Sequence, residues 1–198
     1  MHSQVFQDEV AHKILNGGFY VDIGAGDGFF DPNGGNSLFL EENGWNGILI
    51  EGDIKRHEYS KQHRKGISIH AMIPDKTIKS ILIENQCPKV IDYISIDIEP
   101  SSLIALYNFP FEDFSFKFLT FEHDLYTSPD NEEQKRESHR ILKSMGYVCM
   151  ADNVSVPHSY FEYFEDWWIN PSFFSKEFIE KNQFIGKDGL YILHNLEI

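Results

Sequence analysis

Residues 20–28, YVDIGAGDG, decide the fold of this chain. An apolar run ends in an acid and then in glycines at alternate positions. This pattern is typical of a buried strand that enters a tight turn with few side chains. A second apolar run, residues 47–51 (GILIE), also ends in an acid. Two such strands, with a glycine-rich turn after the first and a carboxylate closing the second, predict a nucleoside-binding site.

Apolar runs alternate with helical segments along the rest of the chain. The pattern predicts strands at residues 19–23, 47–51, 67–72, 91–97, 116–122 and 147–150, and one or two more in 160–168 and 190–196. It predicts helices at residues 4–15, 36–43, 55–65, 76–85 and 129–145, the first ended by Gly17 and the second capped by Asn36. Continuous apolar strands alternating with helices indicate an α/β fold with a mostly parallel sheet covered on both faces. The strands end in polar groups that should meet at one edge of the sheet, namely Asp22, Glu51, Asp97 with Glu99, and Glu122 with His123.

Length and composition limit the classes to which this protein can belong. The 198 residues fit one domain, residues 1–198, which could also be a part of a longer protein. A net charge of -14 argues against nucleic acid as a partner, because such a surface repels a phosphate backbone. No apolar run approaches the roughly 20 residues of a membrane span, no signal peptide is recognisable, and the two cysteines lack metal-ligand spacing. A cytoplasmic protein is therefore expected.

The glycine turn favours one type of nucleoside. A dinucleotide fingerprint needs a third glycine where this chain has the bulky Phe29, and an acid inside the turn, Asp27, would repel a pyrophosphate. The turn suits a ligand without phosphate and with positive charge, such as S-adenosylmethionine. Glu51 would then accept hydrogen bonds from both ribose hydroxyls.

The sequence resembles the FkbM-type S-adenosylmethionine-dependent methyltransferases over nearly its whole length. The matching motifs are residues 3–8 (SQVFQD), 19–28 (FYVDIGAGDG), 36–41 (NSLFLE), 45–51 (WNGILIE), 92–99 (DYISIDIE), 121–123 (FEH) and 165–168 (EDWW). The departures are Pro100, where the family usually has glycine, and Gly52, where proline is common. Pro100 restricts the backbone there and would reshape a substrate loop.

The resemblance implies a Rossmann-like class I methyltransferase with a seven-stranded sheet. It also implies O-methylation, commonly of a hydroxyl on a sugar or glycan. The expected cofactor-binding residues are Gln4, Asp22, Gly24, Ala25, Gly26, Asp27, Asn36, Ser37, Glu51, Gly52, Ala71 and Asp97. Two alternatives stay open: a methyltransferase acting on another small-molecule or polyketide hydroxyl, and a nucleoside-binding module without catalysis. A pyridine dinucleotide enzyme is a third.

The expected catalytic residues are His123, Asp97, Glu99 and Glu122. His123 is the predicted general base, because an imidazole titrates near neutral pH. A divalent cation such as Mg²⁺ or Mn²⁺, held by Asp97, Glu122 and His123, is the alternative means of activating a hydroxyl. The aromatic side chains of residues 160–168 have two interpretations, as core and as a wall of the acceptor pocket. Residues 151–154 (ADNV) resemble a metal-binding run from another methyltransferase group, but on the wrong strand.

Overall fold

The structure is a computed structural model that describes residues 3–27, 35–73, 75, 77–98, 100–159 and 162–198. Its helices are α1 Gln7–Leu15, α2 Leu38–Glu42, α3 Ile54–His63, α4 Ile78–Glu84, α5 Ser102–Tyr107, α6 Glu132–Ser144, α7 Lys176–Lys181 and α8 Gly189–Asn195. Its strands are β1 Phe19–Ile23, β2 Asn46–Glu51, β3 Ile67–His70, β4 Val90–Ile96, β5 Ser115–Glu122, β6 Val148–Val154, β7 Glu165–Ile169 and β8 Phe184–Ile185.

The strands form one sheet in the order β3-β2-β1-β4-β5-β7-β6-β8. β3 through β5 are parallel, while β7 runs antiparallel to both of its neighbours. The predicted α/β class and mostly parallel sheet are confirmed, with the two-residue β8 as an eighth strand at the edge. From β1 the chain adds β2 and β3 on one side, and then crosses to add β4 and β5 on the other side of β1. This reversal opens a crevice between the carboxyl ends of β1 and β4.

Both faces of the sheet are buried in separate apolar clusters. Val21 and Ile23 of β1 point into one cluster, whereas Tyr20 points into the other. The same alternation places Ile48 and Leu49 of β2 on opposite faces. Because successive strand residues point to opposite faces, each strand needs an apolar residue at nearly every position. This explains the continuous apolar runs in the sequence.

A buried polar network ties α2 to the sheet beneath the glycine turn. Arg64 Nε donates to Glu41 Oε2 at 3.0 Å, and Arg64 Nη2 donates to Ser37 Oγ at 2.9 Å. Ser37 Oγ donates to Asp22 Oδ2 at 2.6 Å, and the Tyr20 hydroxyl donates to Glu41. Since these groups are buried, each charge depends on its partners for compensation. The network therefore sets where α2 and β1 lie relative to each other.

Several helices and strands of the structure differ from the predicted ones. Of residues 190–196, predicted as a strand, 190–195 lie in helix α8 and Leu196 is its C-cap, so that prediction was wrong. Asp188 caps this helix by accepting from the backbone N–H of Tyr191 at 2.8 Å. Ile192 and Leu196 are buried four residues apart, which is a helical spacing. The short helices α5 and α7 and strand β8 were not predicted.

The first two helices begin later than predicted. α1 starts at Gln7 and not at residue 4, because Phe6 adopts a left-handed conformation with φ of 62°. The predicted cap of the second helix was also wrong: the N-cap position of α2 is Ser37, and Asn36 lies before it. In the part of the chain that the structure describes, no helix combines the length and apolarity needed to span a bilayer.

We predict that Arg64→Met destabilises the protein by about 3 kcal/mol or more, because Glu41 would stay buried without its charged partner. The measurement is urea unfolding, with a lower midpoint at an unchanged slope as the expected result. Arg136→Met is the matched control. Arg136 is 67% exposed in its ion pairs, so its loss should cost no more than about 0.5 kcal/mol. Equal effects of the two substitutions would contradict the role of the network.

Candidate functional site

A cavity of about 480 Å³ lies at the carboxyl ends of β1 to β5, in the crevice that the strand order creates. Most of the residues predicted to bind the cofactor line it: Gln4, Gly24, Ala25, Gly26, Asp27, Asn36, Glu51, Gly52, Ala71 and Asp97. Two of the predicted catalytic residues, Asp97 and Glu122, line it as well. Glu99 lies outside the described residues. The cavity therefore brings together residues that are up to about 120 positions apart in the sequence.

The glycine turn forms the floor of the cavity. Gly24 has φ of +90° and Gly26 has φ of +60°, both in the left-handed region that favours glycine. The backbone N–H groups of Gly24 and Ala25 donate to the carbonyl of Ile50, at 2.9 and 3.2 Å. A Cβ atom on Gly24 would overlap the carbonyl oxygen of Asp97. The turn thus packs backbone to backbone against the end of β4.

The end of β2 holds its carboxylate in a fixed position. Glu51 is 8% exposed, and its Oε1 accepts from the backbone N–H of Asp53 at 2.7 Å. Asp53 caps α3 by accepting from the N–H groups of Lys55 and Arg56, so the helix begins directly after the strand. Because one carboxylate oxygen is held by the turn, the side chain presents a fixed acceptor to the cavity.

Asn36 links the cavity to α1. Its Nδ2 donates to Asp97 Oδ2 and to Ser95 Oγ, each at 3.1 Å, and its Oδ1 accepts from Gln7 Nε2 at 2.8 Å. The predicted helix cap therefore orients a cavity carboxylate instead. The N-terminal SQ…QD motif, through Gln4 at the cavity wall and Gln7, also acts on this site.

Asp22 and Ser37 are the two predicted cofactor residues that do not line the cavity. On β1, Asp22 points to the same face as Tyr20, into the buried network under α2. Burial is the main cause that raises the pKa of Asp22 to about 7, against the opposing hydrogen bond from Ser37. Within the described residues, its Oδ1 has no hydrogen-bond partner. The Asp22 carboxyl therefore belongs to the buried network beneath the glycine turn and not to the cavity lining.

Two neighbouring side chains at the end of β5 point in different directions. Glu122 lines the cavity and accepts from the Tyr126 hydroxyl at 3.0 Å. His123 is fully buried away from the cavity lining, with Nε2 at 3.5 Å from Asp166 Oδ1, the outer limit of a hydrogen bond. His123 Nδ1 accepts from the backbone N–H of Leu125 at 3.3 Å. Consecutive residues of an extended segment point to opposite faces, so Glu122 and His123 cannot both face the cavity.

Asp166 is the centre of a second polar cluster, which lies under α6. His139 Nε2 lies 2.8 Å from Asp166 Oδ2, and Lys135 Nζ lies 3.2 Å from Asp166 Oδ1. Burial would raise the pKa of Asp166, but the nearby rings of His123 and His139 outweigh it and hold that pKa well below its usual range. His123 is therefore one of three groups that compensate a buried carboxylate.

The predicted metal-binding set of Asp97, Glu122 and His123 is not brought together. His123 points away from the two carboxylates, so the three do not fit one ion. Among the described residues, the side chains that approach as a ligand group are His139, Asp152 and Asp166, within 4.8 Å of one another. The ammonium of Lys135 already lies 2.5 Å from Asp152 Oδ1 there. Residues 151–154 thus contribute to the cluster under α6 and not to the cavity.

The aromatic side chains of residues 160–168 are mostly core where the structure describes them. Trp167 and Trp168 are fully buried in opposite apolar clusters, and Phe164 is 3% exposed. Tyr160 and Phe161 lie outside the described residues. The core interpretation holds for Phe164, Trp167 and Trp168.

Sequence reasoning missed several residues of the cavity: Asp53, Arg56, Met72, Ile73, Ile98, Ser101 and Tyr126. Asp53, two residues after Glu51, is recognisable from the sequence as a helix cap. A helix that begins there has Arg56 in its first turn, so Arg56 could have been predicted. Ser101 precedes α5, which was not predicted. Tyr126 follows β5 in a turn whose course the sequence does not indicate.

Solved structures with this fold were found by comparison. One is an S-adenosylmethionine-dependent methyltransferase from Aquifex aeolicus, with a TM-score of 0.52 and 13% identity, covering 84% of this chain and 90% of that one. A second is the methyltransferase domain of bacterial-CtHen1-C, with a TM-score of 0.53, 12% identity, and coverage of 84% and 96%. A third, proposed to be a caffeoyl-CoA O-methyltransferase from Staphylococcus aureus, has a TM-score of 0.56, 14% identity, and coverage of 83% and 82%.

No family model and no curated protein matches the sequence. At this level of identity the likenesses show the fold, which is that of the class I S-adenosylmethionine-dependent methyltransferases.

We predict that Gly24→Ala destabilises the protein by about 3 kcal/mol or more, because the methyl group adds a backbone clash to the strain of a positive φ. Gly146→Ala is the control. Gly146 has φ of +84°, but no atom of the described residues lies within 4 Å of the place a Cβ would take, so only strain of about 1 kcal/mol is expected. Thermal and urea unfolding of both variants measure the difference. Similar losses would show that the contact between the turn and β4 is not tight.

We also predict a pH-dependent effect of Asp22→Asn. With a pKa of about 7 in the folded state and about 3.9 when unfolded, folded Asp22 keeps a proton that the unfolded chain releases. The free energy of unfolding that depends on Asp22 therefore falls as pH rises from about 4 to 7. Because the variant lacks this decline, its free energy of unfolding relative to that of the wild type should rise by up to about 1.4 kcal/mol per pH unit in that window.

Urea unfolding of the wild type and of Asp22→Asn from pH 4 to pH 8 tests this prediction. Asp53→Asn is the control whose difference from the wild type should stay nearly constant across this range, because the N–H of Arg56 lowers the pKa of Asp53 and its contribution is lost only below the unfolded pKa of about 3.9. A constant difference between Asp22→Asn and the wild type across this range would contradict the raised pKa.

Proposed function

We propose that this protein transfers a methyl group from S-adenosylmethionine to a hydroxyl of a sugar or glycan, as a member of the FkbM group. The observation that carries the proposal is the cavity at the carboxyl ends of β1 and β2. There the glycine turn and the fixed Glu51 carboxylate line one space. The chain also has the fold of class I methyltransferases.

The charge of the lining favours this cofactor over a dinucleotide. The described lining carries five acidic residues, Asp27, Glu51, Asp53, Asp97 and Glu122, and one basic residue, Arg56. Such a lining repels a pyrophosphate and attracts the sulfonium and ammonium groups of S-adenosylmethionine.

The lining residues suggest how the cofactor is held. Glu51 accepts from the ribose hydroxyls, and the residues after β3, with Gly52, form the adenine pocket. Gly52 suits this position because a Cβ there would lie 3.1 Å from the Met72 side chain. The backbone of the glycine turn and Asp97 then face the methionine part. With the cofactor held in this order, its methyl group would face the ends of β4 and β5.

Methyl transfer requires a positioned acceptor and a proton acceptor. The cofactor supplies a methyl group that is already activated by its sulfonium. The acceptor oxygen forms a bond to the methyl carbon while the sulfur–carbon bond breaks, and the hydroxyl proton leaves to a base. Asp97 and Glu122 are the proposed proton acceptors, because both line the cavity at that end.

His123 has a positioning role in this proposal. Its two ring nitrogens lie within reach of Asp166 Oδ1 and the backbone N–H of Leu125, which fixes the turn from Glu122 to Tyr126. The general-base role expected from the sequence needs direct access to the acceptor, which this buried position does not offer.

We predict that isothermal calorimetry detects binding of S-adenosylhomocysteine, and that Glu51→Gln weakens it about tenfold or more, by loss of a charged acceptor for the ribose. Glu58→Gln is the control, because Glu58 is a 52% exposed residue of α3 with the same charge. NAD should not bind. A chain that binds neither S-adenosylmethionine nor S-adenosylhomocysteine would end the methyltransferase proposal, and binding of NAD would favour a dinucleotide enzyme.

Methyl transfer to a panel of glycosides, oligosaccharides and polyketide alcohols distinguishes the remaining alternatives. Transfer to a sugar hydroxyl supports the proposal. Transfer to a polyketide hydroxyl alone would point to the other acceptor class. Cofactor binding without transfer to any member of the panel would support a non-catalytic nucleoside-binding module.

A further inference from the structure

We infer that the acceptor half of the cavity selects acceptors without negative charge near the methylated group, and rejects phosphorylated sugars and uronic acids. The acceptor half is defined as the lining after β4 and β5: Asp97, Ile98, Ser101, Glu122 and Tyr126. The inference rests on the proposed function, because it assumes that the methyl group points towards these residues.

The polar groups of the acceptor half are two carboxylates and two hydroxyls. Asp97 and Glu122 are the carboxylates, and each is oriented by a donor: Asn36 Nδ2 at 3.1 Å and the Tyr126 hydroxyl at 3.0 Å. Carboxylates accept hydrogen bonds from hydroxyl or ammonium groups and repel anions. The acceptor half of the cavity is therefore suited to a neutral polyol or an amine.

Basic groups near the cavity are either remote or already engaged. Arg56 lies after β2, which is three strand spacings, about 14 Å, from β5. It is exposed, so salt screens most of its effect at that range. His123, Lys135 and His139 surround Asp166 on the other face of the sheet.

Most residues outside the described part carry no basic side chain. Residues 28–34, 99, 160 and 161 contain no Lys, Arg or His. The remaining undescribed residues include His2, which is largely neutral at pH 7.5 when unperturbed, and Lys76, which follows β3 in the chain. A phosphate-binding site needs Arg, Lys or a set of backbone N–H donors. The acceptor half has no such side chain among its described residues.

The first experiment needs no acceptor. Sinefungin carries an amine where S-adenosylmethionine carries the transferred methyl, so its affinity relative to S-adenosylhomocysteine probes the charge at that point. At pH 7.5 and low salt, calorimetry should show sinefungin binding about tenfold more tightly. Glu122→Gln should reduce this ratio several-fold. Glu133→Gln should leave it unchanged, because Glu133 is a 57% exposed residue of α6 with the same charge.

Two further measurements keep the test decisive if Glu122→Gln does not fold. Asp97→Asn should also reduce the ratio, and in the wild type the ratio should fall as sodium chloride rises, since screening weakens the attraction. A wild-type ratio near one, or a ratio that neither substitution nor salt changes, would overturn the inference. If neither ligand binds, the proposed function itself fails, and the inference fails with it.

The second experiment uses matched acceptors. A methyl hexoside, its 6-phosphate and the corresponding uronate are compared by kcat/KM for methyl transfer. We expect the neutral sugar to exceed both anionic forms by about tenfold or more. Equal or faster transfer to the phosphate or the uronate would overturn the inference while leaving the methyltransferase proposal intact.

Discussion

The close backbone packing of Gly24 against the end of β4 is the constraint on which the site depends. The strand order reverses between β1 and β4, and the crevice forms where these two strands diverge. A side chain at Gly24 would overlap the Asp97 carbonyl, so the turn can lie flat against β4 only with glycine there. The N–H groups of Gly24 and Ala25 are tied to β2 at the same time. One turn thus sets the relative position of three strands, and with it the distance between Glu51 and Asp97.

Two buried polar clusters support the ends of the cavity from opposite faces of the sheet. Under the glycine turn, Arg64 compensates Glu41 and, through Ser37, contacts Asp22. Under β5 and β7, three basic side chains compensate Asp166. Buried charges of this kind add little net stability but penalise any arrangement that separates the partners. Both clusters therefore specify geometry: the first positions β1 and α2, and the second positions the turn that presents Glu122.

The alternation of side chains across a strand explains why two adjacent residues of one motif differ in role. In residues 121–123 (FEH), Glu122 faces the cavity with Tyr126, while Phe121 and His123 face the helix α6 side. The sequence marks both Glu122 and His123 as chemically capable. The pleat of the sheet assigns only one of them to the cavity, and the antiparallel β7 supplies Asp166 as the partner of the other.

The sequence by itself determined the strands of the parallel sheet, because strands buried on both faces need uninterrupted apolar runs that are readable without a structure. β1 was predicted with its observed bounds, and the turn after it was recognised from its glycines. Short elements at the periphery, such as α5, α7 and β8, carry too few residues for a periodic pattern, and α8 was misread because its apolar residues suit a strand as well.

Tertiary structure alone decided which polar residues share the cavity. Asp22, Ser37 and His123 lie beside cavity residues in the chain, yet each points into a buried cluster, whereas Ser101 and Tyr126 reach the cavity from positions without a sequence signal. The physical reason is that the chemistry of a side chain is local, but its direction depends on strand pairing and on the partners that compensate its charge.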